Sequence, residues 1–264
     1  MQKEQNPLNE KQFAKLYQRE KESVAGKAIV ITGGTTGIGR TTALLLVAEG
    51  ARVLICGRHE KELNDAMQDI KSIGGGEIYG IIADTSKLDD VRKLFKEADS
   101  KLGGVDVLVN NAALAAETIT ESSADNIEYV LQTNIFGYLA CAREAAQRMK
   151  PKQSGHIINV GSMSAESKGG GSDIYVATKS AVRGLSISLA KSLAESQVRV
   201  TLIEPGLVGS DMIAEEHPPE EQPEEIGQWK MLRSEEIAEC VLYCLTQPKR
   251  CNVPMIQIRP TKQT

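Results

Sequence analysis

Several features that mark whole classes of proteins are missing from this sequence of 264 residues. No apolar run approaches the roughly 20 residues that a membrane-spanning helix needs, and the charged N-terminal segment lacks the apolar stretch of a secretory signal. The formal net charge is -4, and Lys and Arg are scattered along the chain, so no basic surface for nucleic acid is expected. We therefore expect a cytoplasmic protein that binds neither membranes nor nucleic acid.

Metal-binding patterns are also scarce. The chain has three histidines and five cysteines without a C-x-x-C pair. Cys240 and Cys244 are four positions apart on a predicted helix and could be imagined as half of a metal site, but the histidines are far away in sequence. We expect no metal, and we expect the cysteines to be buried small apolar residues. They are Cys56, Cys141, Cys240, Cys244 and Cys251.

From residue 27 onwards, short β-branched runs alternate with longer amphipathic stretches. The predicted strands are KAIVIT, ARVLIC, EIYGIIA, VDVLVN, GHIINV, VRVTLIEP and VPMIQI. The predicted helices cover about 40–49, 59–73, 88–102, 124–150 and 174–195, with a last helix after 234. This alternation predicts an α/β protein with a doubly wound parallel sheet, a Rossmann fold, with helices on both faces.

The predicted organisation is a single catalytic domain over 25–264, and two segments fall outside the alternation. Residues 1–24 are polar, and we expect a solvated arm. Residues 207–233 are rich in Pro and acidic side chains and too long for a simple connection, so we expect a substrate lid. Its apolar side chains are candidates for a pocket wall. They are Met212, Ile213, Trp229, Met231 and Leu232.

A glycine-rich turn joins the first predicted strand to the first helix. It reads TGGTTGIGR over 32–40. Gly33 permits a tight turn, Gly37 lets the backbone approach a phosphate, and Gly39 allows close packing of helix and strand, while the helix N-terminus favours an anion. The G-x-x-x-G-x-G spacing differs from the common fingerprint, and a tight turn needs no ligand. Its place after the first strand nevertheless favours dinucleotide binding.

The second predicted strand ends in Gly57 and Arg58 rather than in an acidic residue. An acid there would hydrogen-bond the adenosine ribose of NAD, whereas a small residue followed by a guanidinium leaves room for a 2′-phosphate. We therefore expect NADP to be preferred, with NAD still possible. The alternative is that Arg58 is an ordinary surface arginine at a helix start.

Tyr175 and Lys179 are four residues apart on a predicted helix and so share one face. A neighbouring ammonium favours the phenolate and lowers a tyrosine pKa, which would allow Tyr175 to act as a general acid or base. Ser162 follows the strand GHIINV at its C-terminal end, where open α/β sheets bind ligands. Its hydroxyl is placed to hold a substrate oxygen.

Together these motifs resemble one known family. TGGTTGIG, NNAA at 110–113, Asn134, Ser162, YVATK and Pro205-Gly206 occur in the order and at the intervals of the short-chain dehydrogenase/reductase family. The resemblance covers roughly 26–258 and combines several independent motifs.

The resemblance implies a role for each matching residue. Tyr175 would be the catalytic acid/base, Ser162 would orient and polarise the substrate carbonyl, and Lys179 would bind the nicotinamide ribose and depress the tyrosine pKa. Asn134 would hold a water in a proton relay through Lys179. The alternative for Asn134 is that its amide only satisfies buried backbone groups.

The resemblance also implies a set of cofactor-binding residues. They are Gly33, Thr35, Gly37, Ile38 and Gly39 in the turn, Arg58, Asp84 beside adenine, Asn110 and Asn111 beside the adenine ribose, Lys179, Pro205, Gly206 and Ser210. Asp84 has an even alternative as a helix cap, and Asn110 could only satisfy buried backbone groups. Ala113 and Ser210 replace a usual glycine and threonine without removing a needed functional group.

The expected function is hydride transfer between NADP(H) and a carbonyl or secondary alcohol. The C-terminal VPMIQIRPT resembles family members that oxidise small 3-hydroxy acids, and the glycine-rich 168–171 suggests a mobile substrate loop. One alternative is a dinucleotide-binding sensor or scaffold without chemistry, although such a protein would be expected to lack Tyr175 or Lys179. Another is an epimerase or dehydratase, for which too few residues follow Pro205.

We also expect a homodimer or homotetramer, which is usual for the family. Small side chains on the predicted helix 174–195 would allow close contact between subunits. They are Ala177, Ser180, Ala181 and Gly184.

Overall fold

The computed structural model describes residues 22–167 and 172–263. Its centre is one parallel sheet of seven strands in the order β3-β2-β1-β4-β5-β6-β7. The strands are β1 Ala28–Thr32, β2 Arg52–Gly57, β3 Glu77–Ile82, β4 Val107–Asn110, β5 Gly155–Val160, β6 Val198–Pro205 and β7 Met255–Ile258. The predicted doubly wound α/β fold is confirmed.

Helices cover both faces of this sheet. They are α1 Gly37–Ala48, α2 Glu60–Ile73, α3 Leu88–Leu102, α4 Ala124–Leu131, α5 Gly137–Met149, α6 Ser164–Ser167, α7 Asp173–Leu193, α8 Gln222–Gly227 and α9 Ser234–Leu245. One buried apolar cluster joins the sheet to α1, α2 and α9, and a second joins it to α3, α5 and the end of α7. Strands between two such layers are apolar at nearly every position. In β1, which reads AIVIT, all five residues are buried.

The strand order reverses between β1 and β4, and this reversal places the site. The chain runs outward from β1 through β2 to β3 and then crosses back to β4 on the other side of β1. The connections that leave the carboxyl ends of β1 and β4 therefore diverge, and a crevice opens between them. The glycine turn follows β1, and Asn111 follows β4 directly.

The predicted long helix over 124–150 is continuous, but it is not α-helical throughout. A π-helical segment, Gln132–Phe136, separates α4 from α5. Such widened turns often occur at functional sites, and Asn134 lies in this one. At its end, a Cβ on Gly137 would lie 3.0 Å from the Thr85 carbonyl oxygen, so this part of the helix packs backbone against backbone.

The predicted arm is described only at its end, whereas the segment 207–233 is described in full. Residues 1–21 and 168–171 lie outside the described residues, and with them most of the predicted solvated arm and the whole predicted substrate loop. The described end of the arm is packed rather than solvated, because Val24 is buried in the core. In 207–233, an isolated parallel bridge joins Val208 to Leu232, and a short 3-10 turn and α8 lie between these two residues.

The cysteines follow the prediction only in part. Cys56, Cys141 and Cys244 are buried, Cys240 is half-buried, and Cys251 is exposed. The expectation was wrong for Cys251 because it lies in the irregular chain between α9 and β7, where no layer covers it. In the ranges 22–167 and 172–263, no helix has the length and apolar character needed to span a bilayer.

Candidate active site

The glycine turn is packed so tightly that side chains are excluded from it. Gly33 has a φ of +63°, and a Cβ there would lie 2.8 Å from the Cα of Ala112. A Cβ on Gly39 would lie 2.1 Å from the carbonyl oxygen of Gly33. The geometry therefore requires glycine at both positions, as predicted. The missing side chains leave a narrow backbone cradle at the start of α1.

Asn111 closes this cradle from the side of β4. Its Nδ2 atom donates hydrogen bonds to the carbonyl oxygens of Thr32, at 3.1 Å, and Gly33, at 3.0 Å. The Thr32 hydroxyl accepts in return from the backbone N–H of Asn111, at 3.0 Å. The ends of β1 and β4 are thereby locked together below the crevice.

Most of the predicted cofactor residues line one cleft above this cradle. The lining includes Gly33, Thr35, Gly37, Ile38, Arg58, Asp84, Asn111 and Ser210. Gly39 does not line the cleft and acts through packing behind it. Thr133 also lines the cleft, and its hydroxyl is buried without a hydrogen-bond partner in the described structure. Together, the cradle and this hydroxyl fit a dinucleotide, which brings phosphate oxygens and polar ribose groups.

Pro205 and Gly206 do not line the cleft either. The Pro205 carbonyl oxygen accepts from the backbone N–H of Met163, at 2.8 Å, and the Gly206 N–H donates to Ile258, at 2.7 Å. A Cβ on Gly206 would lie 2.1 Å from the Oε1 atom of Gln263. In this structure both residues hold the ends of β6 and β7 beside the backbone that follows Ser162.

At the far end of the cleft, Arg58, Tyr129 and Asp84 form a chain of contacts. Arg58 donates to the Tyr129 hydroxyl and its guanidinium lies 5.6 Å from the centre of that ring. The Tyr129 hydroxyl donates to Asp84, at 3.1 Å. Arg58 is exposed and lines the cleft, and its role toward a 2′-phosphate stays a prediction. Tyr129 is a neighbour that no sequence motif indicated.

Asp84 shapes a turn instead of capping a helix. Its Oδ1 atom accepts from the backbone N–H of Ser86, at 3.0 Å, whereas the residue that precedes α3 is Lys87. Burial raises the pKa of Asp84, but hydrogen bonds from Ser86 and Tyr129 outweigh that effect and the pKa is lowered overall. Asp84 thus carries a negative charge at the cleft wall.

Ser162, Tyr175 and Lys179 come together where β5 ends and α7 begins. The Ser162 hydroxyl donates to the Oγ atom of Ser164, at 3.0 Å, and it lies close enough to the Tyr175 phenol to lower its pKa. The Nζ atom of Lys179 lies 5.6 Å from the centre of the Tyr175 ring. The predicted shared helical face of Tyr175 and Lys179 is therefore present.

The expected effect of Lys179 on the tyrosine was wrong for this state of the protein. Burial raises the pKa of Tyr175 to about 12, and the neighbouring Ser162 hydroxyl offsets this only in part. Burial also lowers the pKa of Lys179 to about 7. The physical reason is that Lys179 is itself 2% exposed, so its charged form is penalised before it can stabilise a phenolate.

Tyr138 is a positioning residue that sequence reasoning missed. Its hydroxyl donates to the Val160 carbonyl oxygen, at 2.9 Å, and accepts from the Nζ atom of Lys179, at 3.4 Å. Lys179 also donates to Val160 directly, at 3.0 Å. Since Tyr138 lies on α5 and Val160 on β5, no local pattern in the sequence could have identified this contact.

Asn134 connects the cleft wall to the helix that carries Tyr175 and Lys179. Its amide donates to the Leu114 carbonyl oxygen and accepts from the Leu114 N–H, both at 2.8 Å. It also lies 3.3 Å from the Thr178 hydroxyl. These contacts match the alternative in which the Asn134 amide satisfies buried backbone groups. The water relay through Lys179 stays a prediction.

The structure also shows what Asn110 contacts. Asn110 is buried and donates to Asn159 and to the Tyr138 carbonyl oxygen, so its contacts are structural.

In 207–233, Met212 lines the cleft, whereas Met231 is buried and Trp229 is 63% exposed. Trp229 and Met231 do not line the cleft.

Comparisons with known proteins agree with this geometry. The family described as short chain dehydrogenase matches residues 27–221. An uncharacterized oxidoreductase of Staphylococcus aureus (strain MRSA252) is 36% identical over 235 residues, which is 89% of this chain and 97% of that protein. One from Staphylococcus saprophyticus is 33% identical over the same shares.

Two solved structures are similar in fold over nearly the whole chain. A short-chain type dehydrogenase/reductase from Mycobacterium ulcerans has 25% identity and a TM-score of 0.81, with 90% of each chain covered. A serine dehydrogenase complexed with NADP+ has 28% identity and a TM-score of 0.79, covering 89% of this chain and 96% of that one. The chain therefore belongs to the short-chain dehydrogenase/reductase family of oxidoreductases.

Proposed function

We propose that the protein transfers a hydride between NADP(H) and a carbonyl or secondary alcohol, with Tyr175 as the proton donor and acceptor. The observation that carries the proposal is the placement of Tyr175 beside Ser162, with the Lys179 amine 5.6 Å from its ring centre and one helical turn further along α7. Asn134 ties this group to Leu114, which lines the dinucleotide cleft. The helix that carries the proton donor is thus connected to the wall of the cleft through Asn134.

The nicotinamide ring of the bound cofactor supplies or accepts the hydride. In the reducing direction Tyr175 gives its phenolic proton to the substrate oxygen, while Ser162 donates a hydrogen bond to that oxygen. The raised pKa of Tyr175, about 12, keeps the phenol protonated at neutral pH. The phenol therefore holds the proton that reduction requires.

The preference for NADP rests on Arg58. Its guanidinium lines the cleft directly after β2, and the neighbouring Gly57 leaves no space for a larger side chain, because a Cβ there would lie 2.4 Å from Thr35. An always charged planar donor suits a 2′-phosphate. The similar serine dehydrogenase structure with bound NADP+ supports this choice.

The proposed substrate class is a small 3-hydroxy or 3-oxo acid or a related ketone. The C-terminal resemblance to family members that oxidise such acids supports it, and serine, the substrate in the name of the similar dehydrogenase, is itself a 3-hydroxy acid. A screen of NADPH consumption across ketones, aldehydes, 3-oxo acids and sugars, with NADP reduction by alcohols in parallel, tests this class.

Replacement of Tyr175 by Phe tests the proposal as a whole. Turnover in the best substrate of the screen should fall to background in Tyr175→Phe, while the NADPH dissociation constant changes by less than about threefold, because the hydroxyl is the group removed. Tyr243→Phe, on the half-exposed side of α9, is the matched control and should retain full activity. Retained turnover in Tyr175→Phe contradicts the proposal, and a wild type that binds NADPH but turns over no substrate favours the sensor alternative.

We also propose a homodimer or homotetramer. Leu139 on α5 and Ile187 on α7 are 46% and 48% exposed, and a Cβ on Gly184 would meet no atom within 4 Å. These helices therefore present an open apolar surface with room for a second helix. Light scattering should give at least twice the mass of one chain, and the mass of a single chain would contradict the proposal.

A further inference from the structure

A carboxylate that no motif assigns points into the cofactor cleft. Glu62 lies in the first turn of α2, four residues after Arg58, and both side chains line the cleft. The Oε2 atom of Glu62 is buried and accepts no hydrogen bond from any of the described residues. Glu60, in the same helical turn, is exposed.

A buried carboxylate oxygen without a donor is unfavourable for the folded protein alone. Leaving such an acceptor unsatisfied destabilises a structure, more so when the group is charged. An acidic side chain near a helix N-terminus is favourable, but Glu60 supplies that charge without burial. The placement of Glu62 is therefore explained best by a donor that arrives with a ligand.

The adenosine half of a dinucleotide carries such donors. Its adenine amine and its ribose hydroxyls donate hydrogen bonds, whereas a 2′-phosphate presents only negatively charged acceptor oxygens at neutral pH. A carboxylate in the wall of this cleft thus favours a free 2′-hydroxyl and repels a 2′-phosphate.

Arg58 acts in the opposite sense, and part of its donor capacity is already in use. It donates to Tyr129, which in turn donates to Asp84. The same end of the cleft therefore contains a cation that favours the 2′-phosphate and an anion that disfavours it.

We propose that Glu62 is a cofactor-selectivity residue that accepts a hydrogen bond from the adenosine half of the cofactor and limits the preference for NADP over NAD. The proposal rests on the dinucleotide binding in the proposed function. It predicts a wild type that uses both cofactors, with selectivity set by the balance between Glu62 and Arg58.

Titration of NADPH and NADH by their fluorescence on wild type, Glu62→Gln and Glu60→Gln tests this without any substrate. In Glu62→Gln the ratio of the NADH to the NADPH dissociation constant should rise about tenfold, the size of one charge-assisted interaction. Glu60→Gln removes the same charge from the same turn and should change the ratio by less than about twofold. Glu62→Ala should shift the ratio in the same direction as Glu62→Gln.

A thermal unfolding measurement without nucleotide separates the proposal from a structural role. Glu62→Gln should unfold at the wild-type temperature or above it, because it removes an unsatisfied charge. An unchanged ratio, an equal shift in Glu60→Gln, or a lowered unfolding temperature overturns the proposal. If wild type binds neither nucleotide, the proposed function falls with it, whereas binding of both with an unchanged ratio overturns the selectivity role alone.

Discussion

The Nζ atom of Lys179 lies 3.0 Å from the carbonyl oxygen of Val160. Lys179 sits on α7 and Val160 at the end of β5, so this contact fastens the helix that carries Tyr175 to the central sheet. It also holds the amine in a fully buried position, where its pKa falls to about 7. The amine is thus anchored where burial disfavours its charged form.

Replacement of Lys179 by Met should reveal this burial as a pH-dependent change in stability. Between pH 7 and about 10.5 the unfolded chain keeps the lysine proton that the folded chain has lost, so wild-type stability rises with pH in that window. From pH 6 to pH 9 the free energy of unfolding of wild type should rise relative to Lys179→Met by about 2 to 3 kcal/mol. Urea unfolding at both pH values measures it.

Lys191→Met is the matched control for this prediction. Lys191 is exposed on the same helix, so its replacement should change stability by the same small amount at both pH values. A stability difference between wild type and Lys179→Met that does not vary with pH would show that Lys179 is protonated throughout.

Removal of the Ser162 hydroxyl should slow the reaction without preventing cofactor binding. Ser162→Ala removes the hydroxyl that partly offsets the raised pKa of Tyr175 and that would donate to the substrate oxygen. The expected loss in kcat is about 10² to 10³, as for one oxyanion donor. Steady-state kinetics with the screened substrate measure it, and Ser167→Ala, an exposed hydroxyl on α6, should lose less than about threefold.

Arg58→Ala should weaken NADPH binding by about tenfold and leave NADH binding nearly unchanged, since a single charged hydrogen bond to the 2′-phosphate is lost. Fluorescence titration of both nucleotides gives the ratio. Arg92→Ala removes an exposed arginine from α3 and should change neither value. An unchanged ratio of the NADH to the NADPH dissociation constant in Arg58→Ala would favour the alternative that Arg58 is an ordinary surface arginine.

Addition of a methyl group at Gly39 should damage the phosphate cradle. The new Cβ would lie 2.1 Å from the Gly33 carbonyl oxygen and 2.6 Å from the Nδ2 atom of Asn111. Gly39→Ala should therefore lower the free energy of unfolding by about 1 to 3 kcal/mol and weaken binding of both nucleotides. Urea unfolding and fluorescence titration report the two effects.

Gly227→Ala provides the comparison for this variant. Gly227 also lies in a helix, but a Cβ there would meet no atom within 4 Å. Its stability should be equal to wild type or higher by up to about 1 kcal/mol. Equal behaviour of the two alanine variants would mean that the turn adapts and that close packing at Gly39 is not required.

The parts of the fold that local chemistry controls could be predicted from the chain alone. The boundaries of α3 coincide with the predicted 88–102, because its buried positions recur at helical spacing. The parallel sheet follows from apolar runs separated by amphipathic helices, and the glycine turn follows from residues adjacent in sequence. Ser162, Tyr175 and Lys179 could be selected because strand end and helical spacing place them without knowledge of distant contacts.

The electrostatic state of the site depended on contacts between residues far apart in sequence. The π-helical turn at Asn134 is tied to Leu114 and Thr178, and the Lys179 amine is held by Tyr138 and Val160. Burial raises the pKa of Tyr175, opposite to the shift that helical spacing predicts. Sequence determined which groups meet in this protein, but only tertiary packing decided how much water reaches them, and solvation decides which of them carries a charge.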